Sequence, residues 1–218
     1  MNEKVNVMER VGKVQVYTGN GKGKTTASLG LALRAVGQGF KVFMVQFMKG
    51  GAYTGEYVAA QNYLPGLEIE QFGRHCIKQQ KQMKIKGYFD LTKVEQKSRI
   101  FDYIRGDIEC GTCRFCFLND DVQRDYIEQA YSRVMEIVKA GEHSVVICDE
   151  INVALQLKML SDSQVLALIA AKPAHVELVL TGRGVSDAVV SAADLVTEMT
   201  LKKHYFDKGV NARRGIEY

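Results

Sequence analysis

Nine residues, Thr18-Gly19-Asn20-Gly21-Lys22-Gly23-Lys24-Thr25-Thr26, constrain the fold of this chain more than any other stretch. Before them stand the strand formers Val14, Val16 and Tyr17, and after them residues 25–36 repeat their apolar side chains at helical spacing. A glycine-rich turn that leaves a strand and opens a helix points successive backbone N–H groups, and the positive end of the helix dipole, at one place. Lys24 adds a mobile positive charge there, and Thr25 is placed to bind Mg²⁺. The usual pattern has glycine five residues before the Gly-Lys pair, where this chain has Thr18, with Gly19 one place later. A turn that only joined strand to helix would have little use for two lysines and two threonines. Gly19, Asn20, Gly21, Lys22, Gly23, Lys24, Thr25 and Thr26 are therefore the expected phosphate-binding residues.

The pattern beyond the loop keeps alternating. Residues 37–39, Gly-Gln-Gly, stop the first helix, and 41–47 form a nearly continuous apolar run of the kind covered on both faces. A helix is predicted at 56–62 and a strand at 67–72. The strand before the loop covers 12–17, and later come helices at 122–140, 161–171 and 186–192 and strands at 144–148, 176–181 and 195–201. Strand–helix alternation predicts an α/β fold of three layers, a mainly parallel sheet with helices on both faces, in which the glycine loop binds nucleotide phosphates. At 218 residues the chain reads as one domain over 1–218, with a polar, basic insertion at about 75–119.

Two further stretches deliver charge to the sheet edge where α/β proteins bind ligands. The apolar strand Val145-Val146-Ile147-Cys148 ends in Asp149-Glu150, candidate Mg²⁺ ligands with Thr25; helix capping alone is the alternative. Leu178-Val179-Leu180-Thr181-Gly182-Arg183 brings an arginine suited to a bidentate phosphate contact, unless it makes only a surface salt bridge. The insertion carries Cys110, Cys113 and Cys116 at C-x₂-C-x₂-C spacing, one ligand short of a zinc or iron–sulfur set, which Cys76 or His75 can complete. The other reading is of free thiols made reactive by basic neighbours. Cys148, within a predicted core strand, reads as structural.

Composition excludes little. The net charge of +4 is spread along the chain and calls for no nucleic acid, and an anionic small ligand suits it equally. No apolar run reaches the roughly 20 residues of a membrane span, and the polar start lacks a signal core, so a cytoplasmic setting is expected.

Taken together, GNGKGKTTA at 19–27, RAVGQGFKV at 34–42, VQFMKG at 45–50, DEIN at 149–152, TGRG at 181–184 and the run from Ala192 to Tyr218 resemble one family, the ATP:corrinoid adenosyltransferases. The likeness spans about three quarters of the chain, on either side of the insertion, and the shifted glycine is part of it.

The resemblance implies that a corrinoid reduced to Co(I) attacks the 5′ carbon of ATP, taking the 5′-deoxyadenosyl group and expelling triphosphate, in adenosylcobalamin biosynthesis or salvage. It implies Lys24 and Arg183 on the leaving group, Glu150 or Asp149 with Thr25 on Mg²⁺, a flavin or flavoprotein reductant, and a homodimer. Apolar or aromatic cover for cobalt is expected from the loop Gly73-Arg74-His75-Cys76; with no tryptophan in the chain, Phe72, His75 and Tyr88 are the corrin-facing candidates. Two rival readings stand beside it. A nucleoside kinase of the thymidine-kinase type also joins such a loop to a cysteine-bearing insertion, and a nucleotide-dependent metal or redox switch needs no chemistry of its own.

Overall fold

The computed structural model describes residues 11–51, 53–74 and 115–218. His75, Cys76, Tyr88, Cys110, Cys113 and most of the expected insertion lie outside the described residues. In chain order the elements are β1 (Val14–Thr18), α1 (Lys24–Gly37), β2 (Val42–Phe47), α2 (Gly55–Tyr63), β3 (Leu67–Phe72), α3 (Asp121–Ala140), β4 (Val145–Asp149), α4 (Ile151–Gln156), α5 (Asp162–Ala171), β5 (Glu177–Thr181), α6 (Asp187–Ala192) and β6 (Leu195–Glu198).

The six strands form one sheet in the order β3-β2-β4-β5-β1-β6, and every neighbouring pair is parallel. Side chains alternate across each strand, so two cores form. Val42, Met44, Val145, Ile147 and Val179 pack with Ala32 and Ala35 of α1 and Tyr57 and Ala60 of α2. On the opposite face Phe43, Val45, Val146, Cys148, Leu178 and Leu180 meet Ile127, Val134 and Val138 of α3, together with residues of α4, α5 and α6. β2 and β4 are buried at every position, as their unbroken apolar runs predict. Cys148 is fully buried, and that burial pushes its thiol pKa up, which fits a structural role.

Local chemistry fixes the helix ends. Asp120 caps α3 by accepting from the Gln123 N–H, and Gly141 closes it in the left-handed conformation. Ser161 and Gln164 form a reciprocal capping box at the start of α5. Two details depart from the sequence reading. A short helix, α4, follows the acidic strand end directly, and its six residues are too few to show a periodicity. The last strand stops at Glu198, three residues early, because the Met199 carbonyl is drawn to the glycine loop.

Because all strands are parallel, their carboxyl ends share one edge. There the loop after β2 crosses the end of β3 so closely that a Cβ on Gly50 would lie 2.1 Å from the Gly73 carbonyl oxygen. Gly50→Ala is expected to destabilise the fold by about 1–3 kcal/mol through this clash. Gly37→Ala, at a helical position with nothing within 4 Å, is expected to stabilise it by about 0.5–1 kcal/mol. Urea unfolding of the two variants checks both signs.

Candidate active site

The glycine loop is shaped from two sides. The Gly21 N–H donates to the Met199 carbonyl at 2.6 Å, and the Met199 N–H donates to the Thr18 carbonyl at 2.9 Å, so the segment leaving β6 is stitched to the loop. Cβ atoms on Gly19 and Gly21 would fall 2.5 and 2.6 Å from that Met199 oxygen, which explains glycine at both places. Gly23 starts α1 in the left-handed conformation. The Lys24 ammonium curls back over the loop and donates to the carbonyls of Gly19 (2.8 Å) and Gly21 (2.7 Å). Burial lowers the Lys24 pKa, and Arg183 adds to that, while Glu150 opposes it.

At the end of β4 the Asp149 carboxylate is fully buried and accepts four hydrogen bonds. Thr25 and Thr181 hydroxyls each donate to Oδ1 at 2.8 Å. Gln46 and Lys49 donate to Oδ2 at 3.2 and 3.1 Å. A carboxylate offers about four lone-pair positions, so these are all taken within the protein. Burial alone would raise the Asp149 pKa; Lys49, and then the donors Thr181 and Thr25, outweigh it and hold it below the ordinary value. Lys49 also bridges to Glu56 of α2 at 3.2 Å, and Gln46 reaches the same carboxylate oxygen at 2.9 Å. Gln71 of β3 extends the chain by donating to Gln46 at 2.8 Å.

Glu150, the next residue, has a left-handed backbone and donates its N–H to the Thr181 hydroxyl at 3.0 Å. Burial and the Asp149 charge raise its carboxyl pKa, against the pull of Lys49, Lys24 and Arg183. Among the described residues no ion pair involves Arg183, so the surface-salt-bridge alternative finds no partner there.

Lys24, Thr25, Thr26, Lys49, Glu56, Glu150 and Arg183 line one cavity of about 760 Å³, walled on its apolar side by Leu29, Leu33, Ala59 and Leu64. Its remaining wall comes from the far end of the chain, through Gly215, Ile216, Glu217 and Tyr218. Lys22 also lines this cavity, with its side chain engaged by the far end of the chain. Its ammonium donates to Glu217 Oε1 at 2.7 Å and to the Tyr205 hydroxyl at 2.9 Å. Arg213, 4.7 Å from the Tyr205 ring centre, also binds Glu217 and, with Lys22 and Tyr205, holds that carboxyl below the usual range.

The structure thus brings the loop, Lys24, Thr25, Glu150 and Arg183 to one cavity, with Asp149 directly behind Thr25. It corrects one expectation: Phe72 is 2% exposed and belongs to the core, because β3 turns that side chain under α3 instead of toward a ligand. Of the cysteine set only Cys116 is described, half-buried in the short turn Phe115–Phe117. Among the described residues no three metal-ligating side chains cluster. Sequence reasoning missed Gln46, Lys49, Glu56, Tyr205 and Glu217. For Gln46 a signal was present: a polar residue inside an unbroken apolar strand asks for a buried partner.

A parallel α/β sheet with a glycine loop, an ammonium and a buried acid at its carboxyl edge defines a class, the proteins that hold the phosphates of a nucleotide. Residues 10–120 and 85–218 match the family described as ATP:corrinoid adenosyltransferase BtuR/CobO/CobP, and the chain belongs to that family. A corrinoid adenosyltransferase of Pseudomonas aeruginosa is 33% identical over 209 residues, covering 95% of this chain and 84% of its own. The corrinoid adenosyltransferase CobA of Salmonella typhimurium is 30% identical over 210 residues, covering 96% and 87%. One from Sinorhizobium is 30% identical over 210 residues, covering 95% and 80%.

The two neighbouring acids act oppositely on stability. Asp149, with its depressed pKa, contributes stability that is full above the ordinary carboxylate range and lost as pH falls through its folded value. Glu150, with a raised pKa, costs stability once pH exceeds its unfolded value, and protonation relieves the cost. Asp149→Asn is expected to destabilise the protein by about 1–3 kcal/mol, since it removes the charge that Thr25, Thr181, Gln46 and Lys49 surround and leaves Lys49 paired with Glu56 alone. Glu150→Gln is expected to stabilise the ligand-free protein at pH 7, with the gain shrinking toward pH 4. Denaturant unfolding at the two pH values checks both.

Proposed function

We propose that this transferase binds ATP with its triphosphate on residues 19–26 and presents the 5′ carbon to a corrinoid in the Co(I) state. The cobalt electron pair forms the Co–C bond as the C5′–O bond breaks, and the electrons of that bond leave with triphosphate. The observation that carries this reading is the convergence of Lys24, Arg183 and the loop on one cavity in a chain of this family. No water need be activated and no protein nucleophile is required. Holding carbon and leaving group in line, and placing positive charge where the triphosphate charge grows, supplies the catalysis.

Lys24 and Arg183 take the leaving-group charge in this scheme, with the loop N–H groups beside them. Mg²⁺ fits the donor set. Thr25 gives its only hydroxyl hydrogen to Asp149, which leaves its lone pairs for a cation, and Glu150 carries a charge that a cation would relieve. Bound there, Mg²⁺ would neutralise phosphate charge. Asp149, its acceptor positions filled, acts through Thr25 and not as a direct ligand. The reductant of flavin type and the homodimer are supported by the family resemblance, the cytoplasmic setting by the lack of a long apolar run in the sequence, and zinc or an iron–sulfur cluster at Cys76, Cys110, Cys113 and Cys116 by their spacing. Among the described residues no helix is long and apolar enough to cross a membrane.

The test is an anaerobic absorbance assay with chemically reduced cob(I)alamin, Mg²⁺ and ATP. Loss of the Co(I) band, growth of a light-sensitive adenosyl product and equimolar triphosphate are the expected result. ADP formed from ATP and a nucleoside, or nucleotide binding with no turnover across several corrinoids, would return the kinase and switch readings. Lys24→Ala is expected to lower turnover by about 100-fold or more.

A further inference from the structure

The scheme above gives Lys49 no part, yet its position is defined on every side. It follows β2 in the loop that Gly50 holds against Gly73, and its ammonium lies 3.1 Å from Asp149 Oδ2 and 3.2 Å from Glu56 Oε1. Its side chain is 27% exposed and lines the nucleotide cavity. Three carboxylates reach this region from three elements: Glu56 from α2, Asp149 from β4, and Glu150 from the turn into α4. A cavity that admits a polyphosphate beside three acids needs a resident cation among them.

Lys24 and Arg183 do not fill that need. Lys24 is tied to the loop carbonyls of Gly19 and Gly21, and Arg183 comes from the loop after β5. Of these three cations it is Lys49, beside the neutral amide of Gln46, that touches two of the acids. By holding Asp149 Oδ2 it also leaves Oδ1 to Thr25 and Thr181, so the Thr25 hydroxyl stays oriented.

Building on the nucleotide-binding reading, we infer that Lys49 is a positioning residue for ATP: its ammonium bridges Glu56 and Asp149 and offsets one of their two negative charges behind the glycine loop, so that the triphosphate meets less negative charge on entry. Its effect is on the polyphosphate and not on the nucleoside. Charge balance, more than the lysine's shape, is what the site requires, since arginine can bridge the same acids.

The test is calorimetric titration with inorganic triphosphate plus Mg²⁺, and separately with adenosine, on folded full-length protein. Lys49→Met is expected to weaken triphosphate binding by roughly tenfold or more, to leave adenosine binding within about twofold, and to raise KM for ATP more than it lowers kcat. Lys49→Arg is expected to bind triphosphate nearly as wild type does. The double variant Lys49→Met with Glu56→Gln, which removes one charge of each sign, is expected to regain most of the lost affinity. Unchanged triphosphate binding in Lys49→Met overturns the inference. So does an equal loss for both ligands that the double variant fails to restore, which marks a structural lysine. Where Lys49→Met does not fold, Glu56→Gln alone decides: tighter triphosphate binding supports the inference, and equal or weaker binding overturns it. Wild-type protein that binds neither ligand contradicts the nucleotide reading itself.

Discussion

The buried carboxylate of Asp149 is the interaction on which this molecule's chemistry rests. A charged group with no solvent exposure survives only if neighbouring dipoles and cations replace the water it lost. Here the replacements come from α1 (Thr25), β5 (Thr181), β2 (Gln46) and the loop beyond β2 (Lys49). Each donor is thereby fixed relative to the others, and the parallel sheet ensures that all of them arrive at the same edge. The glycine loop is held to this hub by Thr25 and to the segment leaving β6 by Met199, so its shape is set by the fold itself.

That arrangement carries internal opposition. Asp149 gains from its surroundings what Glu150, one residue later, loses to them, and the left-handed backbone at Glu150 adds a conformation that L side chains seldom adopt. Under the proposed function a site that takes a divalent cation and a polyanion keeps charge ready for them, and the fold carries that cost through its two apolar cores.

Much of this was legible in residue order. The strand–loop–helix at 14–37, the mostly apolar β2 and β4 and the helix stop at Gly141 announce themselves through local chemistry, and so does the placement of Lys24 and Thr25 at a helix start and of Glu150 and Arg183 after strand ends. What stayed hidden depends on contacts between distant segments. Lys49 and Glu56 draw no reading of their own from residue order, since the pairing of β2 with β4 is what sets Lys49 against Asp149, and α2 is what brings Glu56 to Lys49. The pairing of Lys22 with Glu217 likewise joins the loop to a segment that residue order does not connect to it. Phe72, the last residue of the predicted strand 67–72, reads as a corrin-facing aromatic because its burial is decided by α3, which follows only after the insertion. The six-residue helix α4 is too short for any periodic signal.

The tail that walls the cavity has a consequence for how the protein comes into being. β1 lies between β5 and β6, and Lys22 is joined to a residue 195 positions further on. The loop made early in synthesis therefore waits for segments made much later before its walls are complete. Local helices can form as the chain emerges, but pairing across such separations comes last because closing long loops is slow. A partly made chain holds the signature of a nucleotide site without the cavity, and competence to bind arrives as a single late event instead of growing with length.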